Sequence, residues 1–154
     1  AEAGEGVCRK ESVRLMWVGR GMWSDMSFYQ RWQESHGAVF VWSMYLGLAA
    51  DGYIRNFDNK RDPMRALAAR FITMGDELRM PTWAGAWHVR EAETHGVRGA
   101  IALSDADPFV LRALKRAGVP VLALKLDNFN QSDKDQDDSN RQITEFLDDL
   151  IEPE

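Results

Sequence analysis

A single cysteine, Cys8, is the whole thiol content of these 154 residues, which excludes an internal disulfide and any site built from several thiolates of this chain. A chain of this length buries enough surface to form a core without such staples, and a reducing, cytoplasmic setting is expected. Long apolar runs are missing as well. None approaches the roughly 18 residues that span a bilayer, and the opening AEAGEGVCRKES is too polar for a signal peptide. Basic clusters are absent too. The 19 Lys and Arg are scattered among 24 Asp and Glu, giving a formal charge of -5, so nucleic-acid binding, which draws its affinity from phosphate neutralisation, is not expected.

What is present is an ordinary globular composition, 45% hydrophobic and 28% charged, with six Trp and seven Met whose commonest use is in cores and domain interfaces. The chain opens on alanine with a Gly/Glu-rich lead-in over 1–12. We therefore expect one α/β domain over 13–151, cut from a longer subunit.

Short apolar runs alternate with amphipathic stretches. Strands are expected at Val13 to Val18 (VRLMWV), Ala38 to Ser43 (AVFVWS), Gly99 to Leu103 (GAIAL) and Val119 to Leu124 (VPVLAL). Between the first two, a helix is expected from a Ser24 or Asp25 cap through FYQRWQES to His36, with Gly37 as its stop. YLGLAADGY reads as a loop with a short helix. Asp62 and Pro63 start a helix in which Met64, Leu67, Ala68 and Phe71 form a buried face. Further helices are expected from Thr82 to Thr94, with Gly96 as the stop, and from Pro108 to Gly118. The polar stretch Asp127 to Ser139 reads as a solvated loop, with Ser139 or Asn140 capping a last helix through Leu150. Parallel strands joined by helical crossovers satisfy this alternation. The expected fold is a three-layer, Rossmann- or flavodoxin-like domain whose four-stranded parallel sheet has the order 2-1-3-4.

In open α/β sheets ligands sit beyond the carboxyl ends of the strands, where the strand order reverses. That points to Gly19 to Trp23, Ser43 to Tyr45, Ser104 to Pro108 and Lys125 to Phe129. The GRGMW loop is not a dinucleotide fingerprint, because Ser24 stands where the third glycine belongs, and the phosphate-loop lysine is missing; a structural tight turn fits it better. Asp105 and Asp107 are a carboxylate pair in one loop, and Asp107, directly before Pro108, reads as a helix cap. His36, His88 and His95 fall late in expected helices, where a surface position beside the helix dipole is the ordinary use. Cys8 reads as an inert thiol, and no catalytic triad assembles.

Several runs taken in order resemble the C-terminal half of subunits of the 2-hydroxyacyl-CoA dehydratase and benzoyl-CoA reductase family. VRLMWVGRGMW and ESHGAVFVWS are similar to its first strand, glycine loop, helix and second strand. DPMRALAARF resembles its Asp-Pro-x-x-x-Leu-Ala segment, and HGVRGAIALSDAD its third strand and following loop. GVPVLALKLDNFN and NRQITEFLDDL resemble its fourth strand and closing helix. The match covers most of the chain and rests on order and spacing, since no one motif is decisive.

The resemblance implies a C-terminal domain in a two-subunit, oxygen-sensitive enzyme that performs one-electron chemistry on an acyl-CoA thioester. It implies a second homologous subunit, an ATP-dependent activator protein that supplies the electron, and a [4Fe-4S] cluster in the full-length parent, with none expected in this chain alone. The chain alone is expected to be inactive, and to self-associate if its inter-domain face is apolar. The acyl-CoA pocket is expected from Arg20, Trp23, Ser43, Tyr45, Ser104 and Asp105. One departure stands out: the loop that should bring a cluster cysteine reads Ser104, Asp105, Ala106, Asp107. Aspartate is a hard donor and a poor substitute for thiolate on iron, so Asp105 and Asp107 are unusual ligand candidates. The alternative is a binding or interface domain that has lost the cluster site.

Overall fold

The computed structural model describes residues 6–44, 62–65, 68, 81–127 and 132–151. Four parallel strands form one sheet. They are β1 (Val13–Val18), β2 (Ala38–Ser43), β3 (Gly99–Leu103) and β4 (Val121–Leu124), and their order is β2-β1-β3-β4, as the alternation predicts. β1 lies between β2 and β3, and β3 carries β4 at its far side.

Side-chain alternation sends each strand into two cores. On one face Val13, Leu15 and Trp17 meet Ile101, Leu103 and Leu124, together with Ile143 and Leu147 of the last helix, α4 (Asp133–Ile151). On the other face Met16, Val18, Ala100 and Ala102 meet Ala84 and Ala92 of α2 (Pro81–Thr94) and Val110 and Leu114 of α3 (Pro108–Arg116). The result is three layers. All five residues of β3 are buried, which is why GAIAL shows no polar alternation in the sequence.

Several boundaries differ from expectation for physical reasons. The single helix expected between β1 and β2 is a 3-10 turn, Met26–Gln30, followed by the short helix α1 (Gln33–His36). Phe28 and Trp32 pack on each other and on the sheet, with Trp17 and Phe28 centroids 5.4 Å apart, so tertiary contact overrides helix propensity here. Gly37 does end α1, at φ +60°. β4 begins at Val121 and not Val119, because the Val119 amide donates to Leu114 O (3.0 Å) to close α3, and Pro120 has no amide to give.

α4 begins six residues before the expected cap. Ser132 Oγ accepts from the Asp135 amide (3.2 Å) and the Asp135 carboxylate accepts from the Ser132 amide (3.3 Å), a reciprocal cap hidden in the acidic run. Ser139 is instead buried inside the helix, donating to Asp135 O. Asp62 does cap a helical turn, accepting from the Arg65 amide at 3.0 Å. Met64 and Ala68, however, are exposed and do not lie on a buried face. Leu67, Phe71 and the whole of YLGLAADGY, Tyr45 included, lie outside the described residues.

Candidate functional site

The carboxyl ends of β1 and β3 flank the point where strand order reverses, and there the two loops close on each other. Gly19 takes φ +117°, a backbone conformation that L side chains rarely adopt, and it lies close beside the β3 loop, where a Cβ would stand at ordinary contact distance, 3.4 Å from Leu103 Cβ and 3.6 Å from Ala106 Cβ. Just beyond, the Arg20 guanidinium donates to the Asp105 carboxylate and ties the loops together, with both side chains more than half exposed. Asp107 accepts from the Phe109 amide at 2.8 Å and caps α3, as expected of it. The crevice is therefore latched. Ser104 is exposed and spends its amide on Leu124 O.

Open space lies one strand over, between β1 and β2. Leu15 pairs with Phe40, yet the next residue, Met16, pairs with Trp42, so Val41 is an extra residue that bulges from β2. The bulge reverses the alternation: Phe40 stays with Trp17 on the first core, while Trp42 turns to the second. Beside it a cleft of about 200 Å³ opens, lined by Trp17, Gly21, Trp23, Met26, Tyr29, Phe40, Trp42 and Ser43.

Each wall is fixed by its neighbours. Trp17 donates its indole N–H to Arg20 O at 2.9 Å, which holds the glycine loop over the strand end. The Met22 amide donates to the Tyr29 hydroxyl at 2.9 Å. The Tyr29 ring stands nearly perpendicular to both Trp17 and Phe40, with centroids 5.5 Å away in each case. Trp23 lies over Gly21, where a Cβ would come within 2.9 Å of its indole, and Trp23 and Met26 form a rim that is 50% and 60% exposed.

Of the expected pocket residues, the structure brings Trp23 and Ser43 into this cleft, pairs Arg20 with Asp105 beside it, and leaves Ser104 apart. Trp17, Tyr29, Phe40 and Trp42 were missed. A reading that looks only to loops overlooks strand residues, and a one-residue bulge leaves no mark in the run AVFVWS.

His88 is a second residue whose place differs from expectation. It sits in the middle of α2 and is buried, 4% exposed, and not on the surface. Its Nδ1 lies 2.7 Å from Ala84 O, and its ring meets Trp42 edge to face at 5.1 Å. Burial lowers its pKa below 6.5, an effect that the Ala84 carbonyl and the negative charges of Asp107 and Glu91 only partly offset. The ring is neutral at pH 7, with Nδ1 as the donor. His36 and His95 do lie at helix ends, beside Asp148 and Glu91.

The donor set does not suit an iron–sulfur cluster. Asp105 is engaged by Arg20 and Asp107 by the α3 amide, and Cys8 is in the segment that leads into β1, ahead of the strand and not beyond its carboxyl end. Among the described residues no three His, Cys, Asp or Glu side chains gather as a metal site. Also among them, no helix is long and apolar enough to cross a membrane.

A four-stranded parallel sheet with helices on both faces makes this a three-layer α/β domain. Within that class, the family model for the D-component of 2-hydroxyglutaryl-CoA dehydratase matches residues 1–150, and the chain belongs to this family of dehydratase subunits. Comparison with curated proteins and with solved structures gave no match.

Proposed function

We propose that this chain is the C-terminal domain of a 2-hydroxyacyl-CoA dehydratase or benzoyl-CoA reductase-type subunit, and that its aromatic cleft forms part of the wall around the acyl group of an acyl-CoA thioester. The observation that carries this is the cleft itself, at the carboxyl ends of β1 and β2, in a chain of this family. Trp17, Tyr29 and Phe40 form an apolar wall that excludes water, Trp23 lies across the mouth, and the Ser43 hydroxyl is the polar group that orients the bound carbonyl. Arg20 and Asp105, paired between the loops that follow β1 and β3, tie the glycine loop to its neighbour. In this reading the cluster, the homologous second subunit and the ATP-dependent activator complete a cytoplasmic, one-electron enzyme, and the cluster thiolates come from outside this chain.

The test is titration with an acyl-CoA followed by tryptophan fluorescence. Trp23→Ala should weaken binding about tenfold, the scale of losing one desolvated aromatic contact, while Ser104→Ala leaves it unchanged. Absence of saturable binding, or equal binding by Trp23→Ala, overturns the reading. One observation favours a second reading, that of a subunit-interface domain. Trp23 and Met26 expose large apolar surfaces side by side. Under that reading Trp23→Ala weakens self-association, or association with the second subunit, in sedimentation, with no acyl-CoA effect.

A further inference from the structure

The buried imidazole of His88 is the backing of one cleft wall. Trp42 lines the cleft and is 3% exposed; two rings of α2 pack edge to face against it, Trp87 with its centroid 5.3 Å away and His88 at 5.1 Å. The two α2 rings are themselves 5.6 Å apart, so the three close on one another. Nδ1 of His88 is committed to Ala84 O, and the proton that acid adds goes to Nε2, on a ring that is 4% exposed.

A positive charge is poorly placed there. Two carboxylates act on it, Asp107 from the loop before α3 and Glu91 from its own helix, while β2 (AVFVWS) and β3 (GAIAL) bring no ionisable group. Asp107 is already held on the Phe109 amide, and Glu91 lies beside His95 at 3.4 Å. The indole faces attract a cation as well. Burial outweighs all of these, since the pKa of His88 is lowered and not raised. An imidazolium here gains by reaching water, and it reaches water only if a neighbour moves.

The fold decides which neighbour gives. α2 is set tightly on α3, where a Cβ on Gly85 would stand 3.0 Å from Ala113 Cβ. β2 is an end strand of the four described, and its ladder is interrupted at Val41, directly before Trp42. The indole at the end of that strand is the part that yields.

We propose that His88 is a proton-sensitive backing for the Trp42 wall: the cleft is firm on that side while the imidazole is neutral, and it loosens when the ring takes up a proton. The inference concerns the wall and is independent of what occupies the cleft. By linkage, an occupant that needs Trp42 in place binds less tightly in acid and, to the same extent, disfavours the protonated ring.

The test is fluorine NMR on the whole chain with fluorotryptophan in place of tryptophan, each indole being read for its shift between light and heavy water, which grows with exposure. Trp42→Phe assigns the Trp42 signal, and His88→Gln assigns the His88 ring carbon whose own titration is followed alongside. Between about pH 8 and about pH 5 the Trp42 solvent shift should rise from near zero toward that of the half-exposed Trp23, with the midpoint of His88. Trp32, 6% exposed in the opposite core, should keep its low value. In His88→Gln, which cannot take up the charge, the Trp42 shift should stay flat. A Trp42 shift that stays near zero down to about pH 5 overturns the proposal, as does a rise that persists in His88→Gln. A joint rise of Trp42 and Trp32 overturns it too, because that is unfolding of the whole domain. Should His88→Gln fail to fold, the contrast between Trp42 and Trp32 in the native chain decides alone.

Discussion

Replacing Gly37 by alanine sets the severest demand on the backbone that joins α1 to β2. At φ +60° a Cβ would stand 2.1 Å from Lys10 O, 2.8 Å from Ser12 Oγ and 2.9 Å from Ser12 N. The carbonyl contact is roughly 1 Å too close for any packing, and it involves backbone that has no rotamer to change. Moving away breaks the bonds that the Ser12 and Val13 amides make to Gly37 O, at 2.8 and 3.2 Å, which place the start of β1. The left-handed conformation costs alanine about 1 kcal/mol, and two weakened hydrogen bonds cost about 1 kcal/mol each, for a total of about 3 kcal/mol. For a chain of this size that lowers Tm by about 6–12 °C. Gly21→Ala is the control. Its Cβ also meets a neighbour at 2.9 Å, but the neighbour is the half-exposed Trp23 indole, which swings aside, and the cost stays below about 1 kcal/mol. Thermal unfolding of both variants decides the matter. Equal shifts would refute the argument that backbone and side-chain clashes differ in cost.

Two further outcomes follow from neighbouring groups. In the β3–α3 loop, Asp107→Ala removes the cap on the Phe109 amide and should cost about 1 kcal/mol, whereas Asp105→Ala removes an exposed ion pair worth less than about 0.5 kcal/mol; urea denaturation reversing that order would refute the assignment. His88 makes stability depend on pH, because its folded pKa is below the unfolded 6.5. As pH falls below 6.5 the unfolded chain takes up the proton first, so stability is full above 6.5 and declines down to the folded pKa. Urea midpoints at about pH 7.5 and about pH 5 should differ less in His88→Met than in the native chain, and an unchanged difference would remove His88 as the cause.

The strands could be read from the sequence because buried parallel strands are short, apolar and bounded by glycine, as GAIAL and VRLMWV are, and their alternation with helices favours the parallel crossovers that set the order. The Asp107 cap and the Gly37 and Gly96 stops were legible for the same local reason. What failed was set by partners distant in sequence. Nothing in FYQRW says that Phe28 will dock on Trp17, with Trp32 against Phe28, and wind the chain into a 3-10 turn. His88 is buried by Trp42, a neighbour from another element that nothing near it in the sequence announces. The Ser132–Asp135 cap was masked by the acidic residues around it. The site was half legible: the loops directed attention to Trp23 and Ser43, but three of the cleft's aromatic walls, Trp17, Phe40 and Trp42, come from strands.

The extra residue at Val41 decides which face each later residue of β2 takes. Taken into an even ladder, Val41 would pair with Met16 and Trp42 with Trp17, sending an indole into the core of Phe28 and Trp32 and the Ser43 hydroxyl toward α2. Deleting Val41 has the opposite result: Met16 still meets Trp42 and Trp17 still meets Ser43, in a ladder without a bulge, and both keep their faces. One wall of the cleft therefore depends on Val41 staying out of the ladder, and an insertion or slip that pairs it turns that wall inside out.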